Sequence, residues 1–285
     1  MGRAGQSWPC GSPIRNCPRS LRQFAPVGKA QQNVAHHYDL SGELYDLFLD
    51  ADRQYSCAYF ERDVMSLDAA QLAKKRHIAL KLQIEPGMKV LDIGCGWGGM
   101  GLTLARDYGA EVVGVTLSKE QHAIAIQRAR DEGLEGQVDF RLCDYRTVTE
   151  KFANEADSWM VKYIFPGGYA PALSEIQKAV DKQWLVPTDI EVLRLHYAKT
   201  LGLWYDRFMT RIDEARALYD DRFVRMWRYY LLSMEASFSV GTLLVYQLQF
   251  GKSLSAAPMT RRYLYEDVAE RVKTQRAEGQ AQAAE

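Results

Sequence analysis

Apolar and polar positions switch between two periods along the middle of the chain. Val90, Leu91 and Ile93 form an apolar run broken only by Asp92, and it reads as a buried parallel strand. The glycine cluster Gly94-Cys95-Gly96-Trp97-Gly98-Gly99 ends that run. Met100, Leu102, Leu104, Ala105 and Tyr108 then recur at helical spacing as far as Gly109. The alternation repeats twice. Residues 111–116 predict a second strand, and Ser118-Lys119-Glu120-Gln121 has capping-box form, opening a helix that stops near Gly133. Residues 138–145 predict a third strand. Three β-α units at this spacing predict an α/β protein with a doubly wound, Rossmann-like parallel sheet.

The flanks read as helical additions. Residues 43–49 carry a helical apolar face, and residues 54–60 gather aromatics round Cys57. Ser66 is the expected N-cap of a helix reaching about Leu82, with Leu72, Ala79 and Leu82 inward. After the third strand a fourth is due, yet residues 146–157 are polar and irregular and 162–169 are loop-like. Ser174 is expected to cap another helix, residues 189–195 to form a later strand, and residues 243–250 a closing one. Leu201, Trp204, Phe208 and Ile212 define one helix face; Phe223, Trp227, Tyr230, Leu231, Met234 and Phe238 define another. That aromatic stripe is more often core than lipid site. The expected divisions are a disordered leader (1–30), a helical cap (31–84), cofactor-binding β-α units (85–152), the remaining domain with a helical substrate-side insertion (153–265) and a frayed tail (266–285).

Composition narrows the class. The 285 residues carry 36 basic and 36 acidic side chains, so no net charge favours nucleic acid. No apolar run approaches the ~18 residues of a membrane span. Five cysteines, widely spaced and without a CxxC pair, argue against a zinc site or a disulfide scaffold and point to a reducing, cytoplasmic setting. His36 and His37, adjacent in sequence, cannot converge on one metal from a helix. No metal is expected.

Gly94-x-Gly96-x-x-Gly99 fits a dinucleotide fingerprint and also a S-adenosylmethionine loop. Two residues separate the readings. Asp92 puts a carboxylate at the strand end, and the second strand ends in Thr116, not in the acid that nicotinamide folds set against the ribose. Both favour S-adenosylmethionine; NAD and a ligand-free crossover are the alternatives. Cys57, taken alone, reads as a small core residue with no lysine beside it in sequence.

Together these residues resemble the cyclopropane-fatty-acyl-phospholipid synthase family, which includes the mycolic acid cyclopropane synthases. The matching stretches are His37-Tyr38-Asp39-Leu40, Tyr55-Ser56-Cys57-Ala58-Tyr59-Phe60, the strand and glycine turn from Leu91 to Gly99, and Gly114-Val115-Thr116-Leu117-Ser118-Lys119-Glu120-Gln121. Tyr163-Ile164-Phe165-Pro166-Gly167-Gly168 and His196-Tyr197-Ala198-Lys199-Thr200-Leu201 with Trp204-Tyr205 complete the set. The resemblance implies attack of a cis double bond, in an unsaturated acyl chain of a phospholipid at the membrane surface, on the methyl of S-adenosylmethionine. A bound bicarbonate ion then takes a proton and the ring closes. It implies cofactor contacts at Tyr55, Ser56, Asp92, Gly94, Cys95, Gly96, Trp97, Gly98, Gly99 and Met100. Thr116 and Gln121 are implied at the ribose, and Asp144 and Tyr145 at the adenine. Cys57 and Tyr197 match the bicarbonate site.

One departure stands out. Between Phe152 and Tyr163 the family carries roughly 50 more residues, more than a βαβ unit. They include the fourth and fifth strands and the glutamate and histidine of the bicarbonate site. Without them the first strand is expected either to be an open apolar edge, an aggregation hazard, or to pair with a later strand. The expected consequence is a poorly stable, catalytically impaired remnant that keeps the cofactor; a related methyltransferase that methylates an acyl chain without closing a ring is the other alternative.

Overall fold

The computed structural model describes residues 40–143, 164, 171–253 and 255–265. His36, His37, Asp144, Tyr145, the irregular stretch 146–157, the leader and the tail lie outside the described residues.

Two helices precede the sheet, the short α1 (Gly42–Asp46) and the longer α2 (Leu67–Leu82). Ser66 caps α2 as expected, its Oγ accepting from the Ala69 N–H at 3.2 Å. Then β1 (Lys89–Ile93), α3 (Gly99–Tyr108), β2 (Glu111–Thr116), α4 (Lys119–Asp131) and β3 (Val138–Leu142) follow in the predicted alternation. The three strands are parallel in the order β1-β2-β3, with Asp92 opposite Gly114 and Gly114 opposite Phe140. Gly114 is there because the Phe140 ring lies across it. A Cβ at this position would come within 2.5 Å of the ring. We expect Gly114→Ala to destabilise the fold by about 1–3 kcal/mol in urea unfolding, through overpacking; an unchanged midpoint would mean that Phe140 is free to move.

The C-terminal half is helical with a small second sheet. It comprises α5 (Leu173–Lys182), β4 (Val186–Val192), α6 (Arg194–Thr210), α7 (Ile212–Leu218), α8 (Asp221–Val240) and β5 (Tyr246–Gly251). β4 and β5 pair with each other, antiparallel. The aromatic stripe is core: Trp227, Tyr230, Leu231 and Phe238 of α8 pack with Leu201, Trp204 and Phe208 of α6, with Leu44 and Phe48, and with Trp97 of the glycine turn. Burial of these rings joins the helical half to the glycine turn.

Four expectations are corrected. The helix near Ser174 is capped at Ala172, where the Glu175 carboxylate accepts from the Ala172 N–H at 2.8 Å; Ser174 lies within the first turn. The strand expected over 189–195 starts earlier, and its last residues belong to α6. Leu72 and Leu82 of α2 are 56% and 49% exposed, whereas Gln71, Lys74, His77 and Lys81 are buried. Last, β1 is not a buried strand. Leu91 and Ile93 are 45% and 48% exposed, because among the described residues β1 pairs only with β2 and is the sheet edge.

Candidate cofactor site

The glycine turn opens a cleft of about 520 Å³ at the C-terminal ends of β1 and β2. This is where parallel α/β sheets bind ligands. Gly94 and Gly96 take positive φ, and nothing lies within 4 Å of where their Cβ atoms would be, so a ligand can lie against bare backbone. The Gly94 and Cys95 N–H groups donate to the Val115 carbonyl at 2.9 and 3.0 Å, pinning the turn to the second strand.

Of the residues singled out in the sequence, Tyr55, Ser56, Asp92, Gly94, Cys95, Gly96, Trp97, Met100, Thr116 and Gln121 line this one cleft. Gly98 and Gly99 lie behind it, both buried, as the cap and first residue of α3. The competition at Gln121 resolves in favour of the cleft. Its N–H donates to Ser118 Oγ at 3.3 Å, but its side-chain oxygen accepts from the Thr116 hydroxyl at 3.1 Å, so only half of the capping box forms. Cys57 and Tyr197 are not lining residues. Cys57 packs among Tyr59, Ala73, Leu193, Met65 and Val245. Its thiol donates to the Ala58 carbonyl at 3.3 Å, and burial pushes it up to about 12. The Tyr197 ring lies on Phe238, 4.7 Å between centroids, and edge-on to Trp204.

The electrostatics centre on Asp92. Burial pushes its carboxyl up to about 6, with Lys74 opposing the rise, and its Oδ2 is buried without a hydrogen-bond partner. A polar oxygen left unpaired at a cleft wall is costly unless a ligand meets it. The opposite wall is the 53–56 segment, held from below by α2. Gln71 donates to the carbonyls of Gln54 and Ser56 at 3.1 and 3.0 Å, and Lys74 donates to Ser56 Oγ at 2.9 Å. Burial pushes Asp52 up, but Lys75 at 2.5 Å and Arg128 outweigh it and hold it below the usual range. Tyr55 closes the inner end, its hydroxyl 3.0 Å from that of Tyr230.

Lys74 is the charged, buried lining residue that sequence reasoning missed; Arg53, Gln54, Ile78 and Cys143 line the cleft as well. The available signal was polar: Gln71, Lys74 and Lys81 recur at helical spacing on α2, a stripe that an apolar-face reading turns outward. The residues present fit S-adenosylmethionine: bare glycine backbone, a hydroxyl and an amide on β2 and α4, and an unpaired carboxylate for a cation.

The structure is similar to a crystal structure of the mycolic acid cyclopropane synthase CmaA1 complexed with SAH and CTAB. The TM-score is 0.73 and the identity 29%, over 77% of this chain and 97% of that one. Fold and cleft together define an S-adenosylmethionine-dependent methyltransferase. The family model described as mycolic acid cyclopropane synthetase matches residues 27–156 and 149–248. The chain is 33% identical to a Pseudomonas putida protein named "Probable fatty acid methyltransferase", over 81% of this chain and 73% of that one. It is also 33% identical to the cyclopropane-fatty-acyl-phospholipid synthase of Escherichia coli (strain K12), over 76% of this chain and 67% of that one. The chain belongs to this cyclopropane synthase family.

Proposed function

We propose that the chain binds S-adenosylmethionine in the cleft over β1 and β2 and directs methyl transfer to the cis double bond of an unsaturated phospholipid acyl chain, the reaction that closes a cyclopropane ring. The observation that carries the cofactor reading is the unpaired buried Asp92 oxygen beside the bare backbone of Gly94 and Gly96. When bound, S-adenosylmethionine supplies an electrophilic methyl group on a sulfonium. Asp92 offers the ligand's ammonium a carboxylate, Thr116 and Gln121 offer the ribose a hydroxyl and an amide, and Tyr55 with Trp204 keeps the inner wall dry. Exclusion of water suits chemistry that passes through positive charge on carbon.

The acyl chain would come from a membrane surface. Among the described residues no helix is long and apolar enough to cross a membrane. Leu195 at the start of α6, Val240 at the end of α8 and Leu244 in the loop beyond it are exposed where Arg194 ties the two helices together through the Phe238 and Ser239 carbonyls. Exposed apolar groups of this kind suit contact with lipid.

No step is assigned to a bicarbonate ion at Cys57: the thiol donates to a main-chain carbonyl, with the Lys74 ammonium and the Thr200 hydroxyl as its polar neighbours. The uncovered edge of β1 favours a second reading, an impaired enzyme that retains its cofactor. The alignment lengths support it as well: 287 aligned positions with the Pseudomonas putida protein span only 81% of a 285-residue chain, as when a relative carries residues that this chain lacks. Calorimetric titration with S-adenosylhomocysteine and with NAD, and mass spectrometry of cis-unsaturated phospholipid vesicles after incubation with labelled S-adenosylmethionine, test both. S-adenosylhomocysteine is expected to bind and NAD not. Product is expected only as a slow accumulation of cyclopropane lipid. Binding of NAD in preference would overturn the cofactor assignment; a methylated product without a ring would overturn cyclopropanation.

A further inference from the structure

Three cations of α2 are buried, and two of them have a carboxylate partner. Lys75 pairs with Asp52 at 2.5 Å, and Lys81 with Glu191 at 2.6 Å and Asp189 at 3.3 Å. Lys74 has none. Its side chain is 4% exposed, its ammonium stands at the wall of the cofactor cleft, and its one hydrogen bond among the described residues goes to Ser56 Oγ at 2.9 Å. An ammonium has three N–H donors, so two remain. Arg53 also lines the cleft, but Asp46 already holds it in a two-point ion pair, with both contacts at 2.6 Å.

The cleft therefore carries one buried cation, Lys74, and one half-buried carboxylate, Asp92, whose Oδ2 is buried without a partner; each has unused hydrogen-bonding capacity and the two are not hydrogen-bonded to each other. A structural lysine in this position would take a carboxylate, as its helix neighbours do. A site that keeps both charges separate and open is complementary to a zwitterion. The part of S-adenosylmethionine with that character is its amino-acid end.

We propose that Lys74 binds the carboxylate of the cofactor's amino-acid end, with Ser56 fixing the direction of the ammonium and Asp92 facing the ligand's own ammonium. This rests on the reading of the cleft as the S-adenosylmethionine site. Burial lowers Lys74 to about 8, with Asp50 and Asp52 opposing the fall though neither is hydrogen-bonded to it, and this leaves it charged at neutral pH.

The test compares two ligands by calorimetry on the full chain: S-adenosylhomocysteine, and the same molecule lacking only its carboxylate. Wild type is expected to prefer the carboxylate form by about tenfold or more, as a charge-assisted hydrogen bond allows. Lys74→Met is expected to bind both ligands alike, with affinity for the decarboxylated one close to that of wild type. Lys74→Arg is expected to keep part of the preference. Retained preference in Lys74→Met overturns the proposal, as does equal loss of both ligands from a folded variant. The wild-type ratio does not depend on any variant folding: equal binding of the two ligands overturns the role of Lys74 while leaving the cofactor site intact. Failure of wild type to bind either one overturns both readings.

Discussion

Asp92→Asn is expected to weaken S-adenosylhomocysteine binding by about a hundredfold, the scale of one lost charge-assisted contact, and to make the ligand-free protein more stable at neutral pH. The two effects have one cause. Burial raises the folded-state carboxyl of Asp92 from 3.8 to about 6. A carboxyl raised on folding binds more protons in the folded state than in the unfolded one across that window. Stability therefore falls as pH rises from about 4 to 6, and the whole penalty is present above it. Two pKa units correspond to roughly 2–3 kcal/mol. Asparagine keeps the shape and removes the titration. Urea unfolding at pH 4.5 and 7.5 checks this: the variant should gain on wild type at the higher pH and much less at the lower. Equal differences at both pH values would mean that Asp92 is solvated in the free protein.

The same carboxyl sets a pH dependence on the ligand. Below pH 6 Asp92 takes up a proton and its attraction for a cation is lost, so cofactor affinity should fall as pH drops through that value. Lys74 remains opposed by Asp50 and Asp52 when Asp92 is neutral, so it does not lose its charge in the same step. A site residue that costs stability while it waits for its ligand is the ordinary trade of function against stability.

Much of this was legible in the chain. The period change from Val90 to Thr116, with glycines where the backbone takes positive φ, located the parallel units and the cleft, and ten of the expected contact residues meet there. The wall opposite was legible only through resemblance, because nothing in the local pattern of residues 53–56 says that a helix eighteen residues further on will hold them. That helix is also where periodicity misled. An inward apolar face was expected through Leu72 and Leu82. The buried side instead carries Gln71, His77 and Lys81, whose nitrogens meet carbonyls or carboxylates, with His77 at 2.7 Å from Glu191. Hydropathy cannot see partners supplied by a strand more than a hundred residues away. Nor could the run Val90–Ile93 announce that it would be an edge, since its composition suits a central strand equally well.

Inserting the span that the resemblance implies between Phe152 and Tyr163 is expected to raise cyclopropane formation by roughly 10²–10⁴-fold, the usual worth of a positioned acid–base group. The edge of β1 supports this. Leu91 and Ile93 are uncovered, and β4 and β5 pair with each other instead of extending the sheet. An inserted βαβ unit would give β1 a neighbour, and with it would come the acid and the imidazole that the resemblance implies for the bicarbonate site. The cofactor cleft is built from β1, β2 and α2, so affinity for S-adenosylhomocysteine should change little while turnover rises. A chimera carrying the Escherichia coli span, assayed on unsaturated phospholipid vesicles alongside the unmodified chain, makes the comparison. If the unmodified chain already turns over within about tenfold of the chimera, the absent residues are not what the chemistry needs, and Cys57 and Tyr197 must be completed by groups already present. If both are inactive while both bind the cofactor, the defect lies on the lipid side, at the exposed ends of α6 and α8, and not at the edge of β1.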